Sequence, residues 1–384
     1  MLKQLKGNSI GEEILSVFVQ KSGLLLVVLA DALASAYLGE LAAFGVASTL
    51  VAHAGLLAVI AGPWAGAAIT EGALALRCDQ GRAARIFGSY AVNPLYLACL
   101  ATCIVATESG IAATYLGSEA ALYLRWALIA KAVGHLPLAA IKALRKGGHT
   151  RDIVSSTWIL AGVNCLGNAL SIWQGWGLEG LALSWAAGEL LAGWIPVLRA
   201  TRRGLLAVPS VEEIRFVASK TTALYVAAVP SAAVAILRAV VFATTPSVAL
   251  ATFVAAQQGY QIANNLSSQL AMVGMAAAQR GAEGGKLAYD WSVYVRLASL
   301  PLAFWVGGWQ SLVLLALGHY ALMAWCRLME VAGYRRHSIA GSSSDVIWAC
   351  MVGVALACGW GGCWWLFAAR WLQQGVYFLV ARTR

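Results

Sequence analysis

The sequence predicts an all-α polytopic membrane protein of about twelve transmembrane helices, arranged as two six-helix lobes. Three observations carry the prediction: scarce charge, long apolar runs and loops that alternate in charge. Of 384 residues, 60% are hydrophobic and only 11% are charged, and mean hydropathy is +0.72. Soluble domains carry about 25% charged residues, so much of this chain must face lipid rather than water. A transmembrane helix takes roughly 20 apolar residues, which leaves room for about twelve spans and no separate soluble domain. The runs are long and rich in Leu and Ala, unlike the short alternating strands of a membrane barrel.

The pattern predicts helices over 12–36, 42–70, 84–107, 118–143, 152–173 and 178–200. A polar linker with Arg202, Arg203, Pro209, Glu212 and Glu213 follows. Further helices are predicted over 214–243, 247–279, 288–307, 309–331, 344–358 and 361–381. The expected division is a first lobe over 1–204 and a shortened second lobe over 205–384. Met1 to Glu13 is mixed and polar and does not read as a removable signal peptide.

One set of loops is basic, holding Arg77, Arg82 and Arg85, then Lys142, Arg145, Lys146 and Arg151, then Arg199, Arg202 and Arg203. The opposite set holds Glu40, Glu108, Glu119 and Glu179. By the positive-inside rule this predicts a multi-pass protein of a cytoplasmic (inner) membrane with both termini cytoplasmic. The same rule accounts for the net charge of +10, so no nucleic-acid partner is expected. Most of the sixteen tryptophans fall near span ends, as interfacial belts do. The eight cysteines are scattered, mostly in apolar spans, and read as small hydrophobes.

A weak internal repeat links Leu41-Ala-Ala-Phe44 to Leu250-Ala-Thr-Phe253, and Gly148-His-Thr-Arg151 to Gly333-Tyr-Arg-Arg336. Two similarly oriented halves are parallel repeats, and transporters often place a substrate cavity between such halves. No enzyme is expected. Gly7-Asn-Ser-Ile-Gly11 fits G-x-S-x-G but precedes a helix and follows no strand, so the nucleophile-elbow context is missing. The sequence carries no HExxH, no P-loop and no Asp-rich diphosphate motif, so neither a metal site nor another cofactor is expected.

Asp31-Ala-Leu-Ala-Ser-Ala-Tyr-Leu-Gly39, followed by Glu40-Leu-Ala-Ala-Phe-Gly-Val-Ala47, resembles the first helix and second-helix start of multidrug and toxic compound extrusion (MATE) transporters. Lys142-Ala-Leu-Arg-Lys-Gly-Gly-His-Thr-Arg-Asp152 resembles that family's loop after its fourth helix. Asn164, Asn168 and Gly177-Leu-Glu-Gly180 resemble its fifth helix and the turn into its sixth. From 281 onward the likeness is topological only. The resemblance implies a two-lobed exporter that works by alternating access, expelling organic compounds in exchange for H+ or Na+. It assigns ion coupling to Asp31 and Asn164. At Asn168 an amide stands where the family has a second carboxylate, and Ser184 falls near the position of a family threonine.

Polar groups inside a membrane are costly and invite a functional reading. Asp31, Asn164, Asn168 and Glu189 fall at comparable depth in three helices, roughly 10–14 Å from one face at 1.5 Å per residue. A carboxylate desolvated inside a closed lobe takes up a proton, and one open to the outside releases it or holds Na+. The expected ion-coupling set is Asp31, Asn164, Asn168, Ser184 and Glu189. The structural alternative has Asp31 pairing with Lys131 or capping a bend, and Glu189 pairing with Lys131 or His135. Gln257, Gln261, Asn264, Asn265 and Ser268 form a polar stripe in the eighth helix, which lines a cavity or ties helices together. Lys131, His135, Arg238, Gln257, Gln261 and Asn264 are the expected substrate-cavity residues, with a salt bridge to Glu330 the other reading for Arg238. Expected partners are a small-molecule substrate and membrane lipid. Three functions compete: a small-compound exporter, a flippase for lipid-linked saccharide or lipid, and a non-transporting scaffold subunit.

Overall fold

The computed structural model describes residues 9–39, 55–116, 118–221, 247–280, 285–330, 334–358 and 364–382. Every regular element among them is a helix. The chain forms two compact units, Met1–Ser219 and Lys220–Arg384. The molecule is a polytopic helical membrane protein.

In the first unit, α1 (Ile10–Tyr37) follows a capping box. Ser9 Oγ accepts from Glu12 N at 3.3 Å, and Glu12 Oε2 accepts from Ser9 N at 3.2 Å. The serine of the G-x-S-x-G match is therefore a helix cap. Next come α2 (Gly55–Ala75), α3 (Gln80–Gly88), a 3-10 turn (Ser89–Val92) and α4 (Pro94–Glu108). The expected third span is broken there. Pro94 cannot continue the preceding turn, and Asn93 caps α4 by accepting from Tyr96 N at 3.3 Å. After α5 (Ile111–Leu116), the expected fourth span is α6 (Ser118–Val133) and α7 (His135–Lys146), bent by 50° at Gly134. Among the described residues, α8 (Arg151–Gln174) and α9 (Gly177–Arg202) are each long and apolar enough to cross a membrane, and they match the expected fifth and sixth spans closely. Gly175 ends α8 with φ 69°, a left-handed cap that suits glycine.

The polarity of α8 is inside out. Trp158, Ile159, Leu166, Leu170 and Trp173 are exposed, whereas Ser156, Thr157, Asn164, Asn168 and Ser171 are buried. Lipid solvates the large apolar side chains, and small or polar ones turn inward where they can pack and hydrogen-bond. α8 lies along α9 and against α1. A Cβ on Gly167 would sit 2.4 Å from Ser184 Oγ, and one on Gly180 2.5 Å from Ser171 Oγ. Each serine returns its hydroxyl to its own helix, Ser171 to Gly167 O and Ser184 to Gly180 O, both at 2.7 Å.

The basic loops of this unit gather at one end. Arg199 Nη1 donates to Asp152 O at 2.5 Å and Ser155 Oγ at 2.8 Å, and Arg203 pairs with Asp152 at 3.0 Å. The linker docks at the same end. Leu205 is buried, Ala207 N donates to Ala84 O at 3.2 Å, and Gln80 Nε2 donates to Arg203 O at 2.8 Å. The chain then enters α10 (211–221), where Glu213 pairs with Arg85 at 2.9 Å. The Ser210 hydroxyl and then the Arg85 guanidinium hold the Glu213 carboxyl at about 2, below its ordinary 4.5.

The second unit contains α11 (Ser247–Arg280), α12 (Gly285–Ala298), α13 (Leu300–Glu330), α14 (Tyr334–Ala357) and α15 (Trp364–Arg382). The expected ninth span is interrupted at Ser299, and its end runs into α13. The separation expected between spans nine and ten is a kink inside α13 at Gly308, whose φ of 66° only glycine adopts easily. α14 begins ten residues before the expected 344, because Tyr334 to Ser343 extends the helix despite its polarity. α11 packs on α13 and α12, and α15 packs on α14 and α13.

Two outcomes test this packing. Gly167→Val forces α8 and α9 apart and destabilises the first unit by about 1–3 kcal/mol, read as a lower Tm of the detergent-solubilised protein. Glu213 ionises more readily folded than unfolded, so its contribution is complete above about 4.5 and is lost as pH falls toward about 2. Pepsin cleavage of the 203–210 linker should rise across that window, and Glu213→Gln should remove the pH dependence.

Candidate functional site

Asp31 sits one and a half turns before the end of α1 and is half-buried. α8 presents Asn164 and Asn168 one turn apart toward it, both buried. Asn168 Nδ2 donates to Asp31 Oδ1 at 2.7 Å and lies 3.4 Å from Asn164 Oδ1. Asn164 is near enough to act on the Asp31 charge, but among the described residues its Nδ2 does not meet hydrogen-bond geometry with any acceptor. Asn168 Oδ1 is likewise buried without a donor among them. The site thus gathers one carboxylate and two amide oxygens, a donor set suited to a proton or a hard monovalent cation. Tyr123 of α6 lies close enough to feel the Asp31 charge.

Ser184 stands beside this group without bonding to Asp31. Its hydroxyl goes to Gly180 O, with Ser171 Oγ at 3.5 Å. Its place is the α8–α9 contact that sets where Asn164 and Asn168 point.

Glu189 belongs to a second group, one turn further along α9. It interacts with Lys131 and with the Trp185 indole, and Lys131 Nζ lies 5.1 Å from the Trp185 ring centroid. Lys131 therefore faces Glu189. The bend at Gly134 makes room for this carboxylate, since a Cβ there would lie 3.1 Å from Glu189 Oε2. His135 is buried in an aromatic stack, 4.3 Å from the Tyr96 ring and 5.2 Å from Tyr90. Its Nε2 has no hydrogen-bond partner among the described residues.

Of the expected cavity residues in the second half, Arg238 lies outside the described residues, and so do the side chains of Gln257 and Gln261. Asn264 Oδ1 accepts from Arg296 Nη2 at 2.5 Å. Arg296, on α12, also donates to Ser267 Oγ at 2.9 Å and Leu315 O at 2.8 Å, tying α11, α12 and α13 together. The sequence reading passed over Arg296, although an arginine inside an apolar span is itself the signal.

Removing the Asn168 donor while leaving the carboxylate isolates the Asp31 partner. Asn168→Leu should destabilise the protein by about 1–3 kcal/mol. Adding Asp31→Leu should recover part of that loss, and thermal unfolding of the single and double variants measures the coupling.

No protein-family model matches the chain, and no curated protein matches it in sequence. Solved structures do match. A MOP superfamily transporter from Pyrococcus furiosus superposes with a TM-score of 0.68 at 16% identity, over 99% of this chain and 96% of that one. A MATE protein in its straight conformation gives 0.71 at 16% identity, over 99% and 97%. The eukaryotic MATE transporter AtDTX14 gives 0.72 at 12% identity, over 99% and 94%. The likeness read from Asp31–Ala47 and Lys142–Asp152 is met at the level of the fold. At these identities the match speaks for architecture, and the architecture of this chain is that of the MATE transporters of the MOP superfamily.

Proposed function

We propose that the chain is a MATE-like secondary active transporter that exports a small organic or antibiotic-like compound in exchange for H+ or Na+. The observation that carries this reading is the Asn168–Asp31 hydrogen bond inside a MATE-type fold, with Asn164 alongside. A carboxylate held by one amide, with a second amide close by, within an apolar bundle is a place where one cation can bind and leave. Lys131 lies on the Glu189 side of the unit and not beside Asp31. Ion binding at Asp31 changes the charge of the first unit's interior and biases a cycle that opens the substrate path to one side and then the other. Both termini and the basic loops lie on the cytoplasmic side of the inner membrane.

The test is transport in proteoliposomes carrying an imposed H+ or Na+ gradient, with ethidium, rhodamine 6G and hippurate as probes. Wild type should move at least one probe in a gradient-dependent way, and Asp31→Asn should lower that flux at least tenfold while inserting normally. Wild-type gradient-driven flux in Asp31→Asn would refute coupling at this site. Gradient-independent reorientation of a labelled lipid-linked saccharide, without probe efflux, would favour the flippase. Neither activity would favour the scaffold.

A further inference from the structure

The second unit holds an open, mostly apolar cleft of about 380 Å³ among α11, α13, α14 and α15, with a few polar side chains in its walls. Small-molecule sites commonly run from about 300 to 1,000 Å³. Its walls include Tyr260, Asn264, Arg370, Gln373, Gln374 and Tyr377. Gln373 is the tenth of nineteen residues in α15, so the pocket lies near the middle of a span rather than at a loop. Tyr260 gains its place from Gly318, where a Cβ would lie 2.7 Å from the tyrosine ring.

Two features say what this pocket recognises. Among the described residues the Arg370 guanidinium makes one hydrogen bond, donated to the neutral Gln373 Oε1. Asp345 Oδ1 accepts from Gln373 Nε2 at 2.5 Å, so the acid orients the glutamine. Arg370 carries five N–H donors, and its remaining donors and its charge are free to meet an anion in the pocket it lines. Gln374 is 6% exposed, also lines the pocket, and its Oε1 accepts no hydrogen bond from the described residues. A buried amide oxygen without a donor costs about 1–3 kcal/mol. A ligand N–H or O–H would remove that cost.

We infer that this pocket binds a small organic anion, its carboxylate on Arg370, an adjacent N–H or O–H donated to Gln374 Oε1, and its apolar body beside Tyr260 and Tyr377. The inference goes beyond the exporter reading and does not depend on it, because binding is read without any gradient.

Equilibrium binding of tritiated hippurate to the full chain in nanodiscs tests it, with empty nanodiscs as the blank. Hippurate offers a carboxylate, an amide N–H and a phenyl ring. Hippuramide lacks only the charge, and 3-benzoylpropionate replaces only the N–H by CH2. Hippurate should bind and hippuramide should bind at least tenfold more weakly. The affinity for 3-benzoylpropionate should fall several-fold. Arg370→Gln should erase the preference for hippurate over hippuramide. Gln374→Met should erase its preference over 3-benzoylpropionate. No saturable hippurate binding up to on the order of 10 mM, where −ΔG is about 2.7 kcal/mol, would overturn the proposal. So would equal affinity of wild type for hippuramide, a comparison that needs no variant to fold.

Discussion

The contact between α8 and α9 is the constraint on which the first unit depends. Two glycines, Gly167 and Gly180, lie where any side chain would strike a serine of the other helix. In lipid there is little hydrophobic gain from bringing helices together, so association rests on close packing and internal hydrogen bonds. The tight approach turns one edge of α8 inward, and Asn164 and Asn168 lie on that edge. α1 packs on the same helix and brings Asp31 to them. The candidate ion site follows from a packing rule rather than from a local motif.

A similar logic separates the two charged groups of the unit. Asp31 is answered by amides and Glu189 by a cation and an indole. Both acids lie within spans, but their surroundings differ in kind. One set of partners is neutral and leaves the acid free to change its charge. The other includes a cation close enough to favour the charged form of the acid. The two acids therefore sit in different electrostatic environments.

Much of this was legible in the sequence. Asp31, Asn164 and Asn168 stood out because polar residues are rare in apolar runs, and helical spacing put the two asparagines on one face. The long spans at 151–174 and 177–202 were bounded correctly because basic residues and glycine turns mark their ends. The breaks were harder. Asn93-Pro94 carries a visible stop signal, but Gly134 and Gly308 look like any of the chain's 39 glycines. Whether a glycine bends a helix depends on neighbours that a sequence does not show. The pocket lined by Arg370 was missed for a related reason. Asp345 fell at the edge of a span placed too late, and Arg370 fell in one fitted tightly by length. Neither was then weighed as a charge inside the membrane.

The bend at Gly134 has a consequence for how the first unit tolerates change. A methyl group at position 134 would press on the Glu189 carboxylate, 3.1 Å from its Oε2, and the acid would have to shift by a few tenths of an ångström. The position of Glu189 is thus sensitive to volume as well as to charge. A substitution that leaves every ionisable group in place would still move the carboxylate. In this part of the protein, shape and charge are one inherited variable, and a drift in either is felt as a drift in both.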